Sequence, residues 1–136
     1  MSKADNIAAQ ERFGKAVNTN NLSDMEQLVA PDCIDHDPAP GQVKGPAGYI
    51  SLFKQMIEAF PDFAVDVEQM VADDENVAFA YTITGTHRGN FFGVPPTGRR
   101  IRARGLQISR FNSDAMMVER WGSSDQLGIL QQIGAI

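Results

Sequence analysis

The longest strand-like stretch of the chain is RRIRARGLQISRF, residues 99–111. Apolar and polar positions alternate along it, which is the pattern of a strand with one buried face. Arg100, Arg102 and Arg104 project to one side, because side-chain direction alternates along a strand. They could clamp a carboxylate of a substrate, or form an outer face that meets solvent or a second subunit. The opposite face carries small and polar residues, which leave room and hydrogen-bonding groups as a pocket wall does: Ala103, Gly105, Gln107 and Ser109.

Helical and strand patterns divide the rest of the chain. Strand patterns occupy residues 63–68, 77–86 and 116–121, and helical patterns occupy residues 5–17, 23–29, 46–60 and the segment after Asp125. Ser23 and Glu26 have the spacing of a capping box that opens the second helix, which would carry Val29 and stop before Pro31. Helices first and a meander of strands afterwards predict an α+β domain, with helices covering one face of a mainly antiparallel sheet.

The composition indicates one globular domain over residues 1–136, with 43% apolar and 21% charged residues. The net charge of −5 argues against a nucleic-acid partner, because recognition of phosphates needs a basic face. The one cysteine, Cys33, permits no intrachain disulfide and suits a reducing compartment. No run approaches the ~18 apolar residues of a membrane span. We therefore expect a cytoplasmic protein with no membrane partner.

Motifs for metals, phosphates and nucleophilic catalysis are missing from the sequence. There is no phosphate-cradling glycine loop and no nucleophile elbow. The two histidines, His36 and His87, do not have the spacing of metal ligands, so we expect no metal site.

The segment Asp35-His36-Asp37-Pro38 places an imidazole between two carboxylates. Neighbouring carboxylates raise the basicity of a histidine, which can then exchange protons near neutral pH. The alternative interpretation is a surface turn that begins at Asp37-Pro38.

Glu119, Trp121 and Ser123 share one face of the last strand, and Asp125 continues the series if the strand persists. Carboxylates beside an aromatic ring in an apolar pocket could act as general acid and base, because burial raises their pKa towards neutrality. The competing interpretation is that Asp125 is only the N-cap of the last helix.

Five motifs occur in the order that is typical of SnoaL-like polyketide cyclases, also called ester-cyclase-like proteins, and the chain resembles that family from about residue 7 to its C-terminus. The motifs are Asp35-His36-Asp37-Pro38, Ala59-Phe60-Pro61-Asp62-Phe63, Gly85-Thr86-His87-Arg88-Gly89, Pro95-Pro96-Thr97-Gly98, and Glu119-Arg120-Trp121 followed by Asp125. The resemblance implies a cone-shaped α+β barrel, shared with ketosteroid isomerase and nuclear transport factor 2. In that fold a curved sheet, N-terminal helices and one C-terminal helix enclose a deep apolar pocket.

The resemblance also implies roles for particular residues. The family's acid/base aspartate matches Asp125, its pocket histidine matches His36, and its glycine-threonine-histidine motif places His87 at the edge of a strand. Many relatives carry a histidine where this chain has Gln107, which can hydrogen-bond but cannot shuttle protons. The characterised cyclases close a ring by an aldol reaction without a metal or an organic cofactor, so we expect no cofactor here.

Two functions of different classes follow from this resemblance. The first is a cofactor-independent cyclase, isomerase or dehydratase acting on a small apolar carbonyl compound, with Asp125, His36 and Gln107 as catalytic residues. The second is a protein that binds such a molecule without catalysis. In either case we expect the ligand to be bound by Phe53, Met56, Phe60, Tyr81, His87, Phe92, Arg104, Glu119 and Trp121.

We also expect a homodimer that forms through the open face of the sheet. The arginine-rich face of the strand at residues 99–111 also carries Leu106 and Ile108. Aliphatic side chains among arginines fit an interface better than a face left wholly in water.

Overall fold

The computed structural model describes residues 2–136 and contains four α-helices, one 3-10 turn and five strands. The helices are α1 (Lys3–Asn18), α2 (Met25–Leu28), α3 (Pro46–Ala59) and α4 (Gln126–Gln132), with the 3-10 turn at Leu22–Asp24. The strands are β1 (Val29–Asp35), β2 (Ala64–Ala72), β3 (Asn76–Thr86), β4 (Arg100–Phe111) and β5 (Met117–Ser124).

The strands form one open, curved sheet in the order β1-β5-β4-β3-β2. Strands β2 to β5 pair antiparallel with their neighbours, and β1 pairs parallel with β5 at the edge. Helix α1 packs against β2 and β3, and α3 packs against α2 and β1. This arrangement confirms the predicted α+β class and the mainly antiparallel sheet.

Helix α1 buries the predicted apolar stripe of Ala9, Phe13, Ala16 and Val17. A capping box between Ser2 and Asp5 begins the helix. At its end, the Asn18 side-chain amide donates to the Val65 oxygen and accepts from the Val65 nitrogen, both at 2.9 Å. These two bonds fix the end of α1 to the first residues of β2.

Two predictions for residues 23–31 are wrong. Ser23 lies in the 3-10 turn, and α2 has no side-chain cap, so the capping box does not form. Val29 begins β1 and does not lie in the helix, and Pro31 lies within that strand. An edge strand tolerates proline because the missing N–H can fall on the unpaired side.

An extra residue in β5 determines which of its side chains face the interior. Arg110 pairs with Glu119, but the next residue, Phe111, pairs with Met117. Val118 therefore has no pairing partner on β4. Such a bulge reverses the alternation of faces along the strand. Met117 is buried, yet beyond the bulge Arg120 and Ser124 face the interior while Glu119 and Trp121 face outward.

Within residues 2–136, no helix has the length and apolar character needed to span a membrane.

Candidate functional site

A cavity of about 600 Å³ lies between the inner face of the sheet and helices α1 and α3. Its volume falls within the range of sites that hold drug-sized molecules. Most of the wall is apolar, and it includes Phe13, Leu52, Phe53, Met56, Phe63, Val65, Val67, Met70, Phe79, Ile83 and Ile129. The polar residues of the wall are Gln10, Glu11, Lys15, Asn18, Tyr81, Gln107, Arg120, Ser124 and Gln126.

Gln107 and Arg120 form the polar end of this cavity. The Arg120 Nε donates to the Gln107 Oε1 at 2.8 Å, and the Gln107 Nε2 donates to the Ser109 Oγ at 3.0 Å. These bonds fix the orientation of the Gln107 amide. The Arg120 side chain is 17% exposed, and its Nη2 has no hydrogen-bond partner among residues 2–136. Nη2 is therefore the donor that remains available to a hydrogen-bond acceptor on a ligand.

Asp35 holds the guanidinium from the side away from Gln107. The Arg120 Nη1 donates to both carboxylate oxygens of Asp35, at 3.1 and 3.2 Å, and the Tyr49 hydroxyl donates to Oδ2 at 2.8 Å. Burial by itself would raise the pKa of Asp35, but Arg120 and the hydrogen bonds from Asp37, Tyr49 and Gln42 hold it below its usual value. Asp35 therefore stays ionised and saturated with donors, which makes it an orienting group for Arg120 and a poor proton acceptor.

Two glycines on the inner face leave room for the polar side chains of the cavity. A Cβ on Gly122 would lie 2.6 Å from the Arg120 Nη2, and one on Gly105 would lie 2.4 Å from the Tyr81 hydroxyl oxygen. Arg120 and Tyr81 can lie along the sheet because these positions have no side chain. Burial raises the pKa of Tyr81, and the charge of Arg120 opposes that rise.

Four predicted site residues line the cavity. Phe53 and Met56 come from α3, Tyr81 from β3 and Gln107 from β4. The predicted pocket wall on β4 also faces inward, since Ala103 and Ser109 are buried together with Gln107.

Four others lie on the outer face of the sheet, and their predicted place in the pocket is wrong. Trp121 stacks on His36 with ring centroids 4.6 Å apart, and the His36 Nε2 lies 2.8 Å from the Glu119 Oε2. The hydrogen bond with His36 and the nearby Arg110 hold the pKa of Glu119 below its usual value. Arg104 bonds Glu68 on the same outer face and its side chain is 70% exposed. The bulge at Val118 accounts for Glu119 and Trp121, because counting by twos along β5 assigns them to the wrong face.

Asp125 lies at the surface, where it caps α4. Its Oδ1 accepts from the Gly128 nitrogen at 2.8 Å, and the side chain is exposed. It is not one of the cavity-lining residues, although its neighbours Ser124 and Gln126 are. The structure therefore corrects the expectation of a buried carboxylate at this position: the N-cap interpretation describes what Asp125 does.

The remaining three predicted residues surround the loop between β3 and β4, outside the cavity wall. His87 is fully buried, and its Nδ1 accepts from the Thr97 nitrogen at 3.2 Å. Phe60 is also fully buried and packs against His87 and Phe91. Phe92 is 54% exposed. Phe60 and His87 are core residues that anchor this loop, and Phe92 lies at its surface.

Sequence reasoning missed Arg120, Ser124, Glu11 and Gln10 as cavity residues. The available signal was Gly122, two positions after Arg120 in the same strand, because a glycine there leaves space over a long neighbouring side chain. Within residues 2–136, no group of three or more His, Cys, Asp or Glu side chains is arranged to hold a metal ion.

Comparisons with known proteins agree over nearly the whole chain. A family model described as SnoaL-like polyketide cyclase matches residues 7–133. The aklanonic acid methyl ester cyclase DnrD of Streptomyces peucetius is 25% identical over 130 residues, which cover 90% of this chain and 86% of that protein.

Solved structures show the same architecture. IdmH of Streptomyces antibioticus, described as a candidate polyketide cyclase, is 30% identical with a TM-score of 0.81, over 98% of this chain and 99% of that chain. AclR of Streptomyces galilaeus, described as a candidate hydroxylase, is 29% identical with a TM-score of 0.86, over 99% of each chain. TsrD of Streptomyces laurentii has a TM-score of 0.89 at 20% identity, over 100% of this chain and 99% of that chain, and it shows a likeness of fold alone. These descriptions name two kinds of chemistry on one fold, so the fold alone does not determine the reaction.

Proposed function

This chain belongs to the SnoaL-like polyketide cyclase family, and we propose that it is a cofactor-independent cyclase, isomerase or dehydratase. It acts by acid–base chemistry on a small apolar carbonyl compound held in the cavity. The relatives named as cyclases of aklanonic acid methyl ester support the cyclase form of this proposal. A methyl ester supplies the kind of carbonyl group that the polar end of the cavity suits.

The observation that carries the proposal is the oriented donor of Arg120 at the polar end of a mainly apolar cavity. Asp35 and Gln107 hold Arg120 from two sides, and Nη2 is left to meet a ligand. A fixed donor in a site of low polarity stabilises negative charge that develops on a carbonyl oxygen. Formation of an enolate is the common first step of aldol closure and of double-bond isomerisation, and it develops this charge.

In this proposal the proton next to the carbonyl is transferred to a carboxylate, and the C–H electron pair moves to give an enolate whose oxygen accepts from the Arg120 Nη2. In the cyclase form, the enolate carbon then attacks a second carbonyl of the same molecule and forms the new carbon–carbon bond. The resulting alkoxide takes the proton back, so the carboxylate returns to its ionised state.

Glu11 supplies the proton-accepting carboxylate of this proposal. It is the one carboxylate among the cavity-lining residues that the structure describes, and it comes from the solvent-exposed side of α1. Asp35 is excluded from the role by its five hydrogen bonds, which come from four donor groups, and Asp125 is excluded because it does not line the cavity.

Hydrogen exchange of a model ketone tests the proposal without knowledge of the natural substrate. 2-Tetralone, an apolar bicyclic ketone, is incubated with the protein in D2O, and loss of its α-hydrogen signals is followed by NMR. We expect the wild type to accelerate the exchange, and we expect Arg120→Met and Glu11→Gln each to reduce that acceleration by ~10²-fold. Glu26→Gln, which changes an exposed carboxylate of α2, is the matched control and should exchange like the wild type.

The surface position of Asp125 favours a second candidate function, a protein that binds an apolar carbonyl compound without catalysis. The family's expected acid/base position carries a helix cap here, and the cavity needs no base to hold a ligand. The same experiment separates the candidates. Binding of 2-tetralone without faster exchange would contradict the enzyme and support the binding protein.

We further propose that the protein is a homodimer that forms through the outer face of the sheet. Val71, Ala78, Ile108 and Trp121 form one row of paired residues across β2, β3, β4 and β5. The side chains of Val71, Ile108 and Trp121 are 59%, 43% and 37% exposed, and Leu106 beside them is 66% exposed. Burial of this row against a second copy would remove a contiguous apolar surface from water.

A further inference from the structure

Gln10 is a buried amide that the fold itself does not use. It belongs to the core-facing stripe of α1 and is only 4% exposed. Its Oε1 is buried without a hydrogen-bond partner among residues 2–136, and the residue lines the same cavity as Gln107 and Arg120.

Two other buried amides are bonded to the protein by at least one atom, and although the Asn6 Oδ1 also lacks a partner among the described residues, Asn6 does not line the cavity. Gln107 accepts from Arg120 and donates to Ser109, and the Asn6 Nδ2 donates to the Asp73 oxygen at 3.2 Å. A buried amide without partners destabilises the folded state. If packing were the only role of this position, an apolar residue would therefore make the fold more stable than Gln10 does. The neighbouring stripe residues Phe13 and Val17 are apolar, as that argument requires.

We propose that Gln10 determines specificity by hydrogen-bonding a hydroxyl group of the ligand. This rests on the proposed function, in which the carbonyl oxygen meets Arg120, and it narrows the substrate class to hydroxylated carbonyl compounds. A hydroxyl both donates and accepts, so it can pair with either polar atom of the Gln10 amide. Phe13 and Phe79 line the same cavity, and these apolar side chains suit a ring system that carries both groups.

Such a contact would give strong discrimination. A site built to bond a hydroxyl rejects analogues without it, because the protein's amide is then left buried and unpaired.

Binding of three aromatic probes tests this inference. 2-Naphthol resembles the enol of 2-tetralone, and 2,6- and 2,7-dihydroxynaphthalene add a second hydroxyl at the far ring. We expect one dihydroxynaphthalene to bind the wild type about 5- to 10-fold more tightly than 2-naphthol, as one added hydrogen bond provides. In Gln10→Leu that preference should disappear, while the affinity for 2-naphthol is kept.

The outcomes separate this inference from the proposed function. Two outcomes would show that Gln10 does not bind a hydroxyl group, while the proposed function stands. In the first, 2-naphthol binds but neither second hydroxyl adds affinity. In the second, the preference for a dihydroxynaphthalene over 2-naphthol survives in Gln10→Leu. If none of the probes binds, or if Arg120→Met binds 2-naphthol as the wild type does, the proposed function fails and the role of Gln10 fails with it.

Thermal stability without ligand gives a second, independent measurement. If the Gln10 amide is unpaired, Gln10→Leu should raise Tm by about 2–4 °C, because an apolar side chain of similar size removes the unpaired group. The matched control is Gln107→Leu, which should lower Tm because it removes the partners of Arg120 and Ser109. A lower Tm for Gln10→Leu would overturn the inference, since it would show that the amide stabilises the fold.

Discussion

At the scale of single residues, Gly122 is the condition for the placement of Arg120. The guanidinium occupies the space that a side chain at position 122 would fill, and it reaches Asp35 and Gln107 from there. Arg120 can therefore face the cavity because Gly122, two residues after it, has no side chain.

We expect Gly122→Ala to displace the Arg120 guanidinium, because its Cβ would lie 2.6 Å from Nη2 and 2.9 Å from Cζ. The affinity for 2-naphthol should fall by about 5-fold or more, as loss of one charge-assisted hydrogen bond implies. The free energy of unfolding should fall by about 1–3 kcal/mol, since the displaced guanidinium gives up its bonds to Asp35 and Gln107. Ser123→Ala, on the opposite face of β5, is the control. Unchanged 2-naphthol binding by Gly122→Ala would show that Nη2 does not contact the probe.

Asp125 offers a second test at this scale. Asp125→Ala removes the acceptor for the Gly128 nitrogen and should lower the free energy of unfolding by about 0.5–2 kcal/mol, whereas Asp125→Asn should restore most of that loss. Neither variant should alter the hydrogen exchange of 2-tetralone. A large loss of exchange in Asp125→Asn, with a melting curve like the wild type, would contradict this prediction. It would support the catalytic role for Asp125 that the family resemblance implies.

At the scale of elements, the ion pair of Asp35 and Arg120 joins β1 to β5 on the inner face, in addition to the pairing of the two strands. The two strands pair in parallel, and the pair joins residues 85 positions apart in sequence. Tyr49 bonds the same carboxylate, so α3 is tied to both strands. The polar end of the cavity is thus also a structural junction.

We expect Asp35→Asn to lower the free energy of unfolding by about 3 kcal/mol near pH 7, because Arg120 would keep a largely buried charge without its partner. The pKa of Asp35 is lowered in the folded state, so its contribution is present above the unfolded pKa of about 3.9 and is lost as pH falls through the folded pKa. Urea unfolding from pH 7 to pH 3 measures this.

The difference in stability between wild type and Asp35→Asn should therefore be largest near neutral pH and should shrink below about pH 4. Asp66→Asn, an exposed change on β2, controls for the loss of one negative charge. A difference that is constant over the whole pH range would mean that the pKa of Asp35 is the same in the folded and unfolded states, so that Arg120 does not favour its ionised form.

At the scale of the whole molecule, the two faces of the sheet have separate roles. The inner face forms the wall of the cavity, while the outer face combines an apolar row with the pairs Arg104–Glu68 and Arg110–Glu119. Charged residues of both signs beside apolar ones suit contact with a second copy of the same surface.

Light scattering at micromolar concentration should give twice the monomer mass of 14.9 kDa. The double change Leu106→Glu and Ile108→Glu should give a monomer, because it places four buried carboxylates in a two-fold interface. Leu127→Glu, at an apolar residue of α4 that is 58% exposed, should remain dimeric. A monomer mass for the wild type would contradict the proposed interface.

The sequence by itself determined the class of fold and one wall of the cavity. Alternation along residues 99–111 and helical spacing in the first half depend on short-range periodicity, which a sequence displays directly. That is why the inward face of β4, with Gln107, and the cavity residues Phe53, Met56 and Tyr81 agree with the structure.

Only the tertiary structure decided which residues of β5 and β1 meet the cavity. One extra residue at Val118 exchanges the two faces of β5, so Arg120 replaces Glu119 and Trp121 at the wall, and no local pattern marks that bulge. The parallel pairing of β1 with β5 then places Asp35 beside Arg120 and His36 beside Trp121 on opposite faces. Pairing register is set by contacts between distant segments, so it is invisible to periodicity and governs the chemistry of the site.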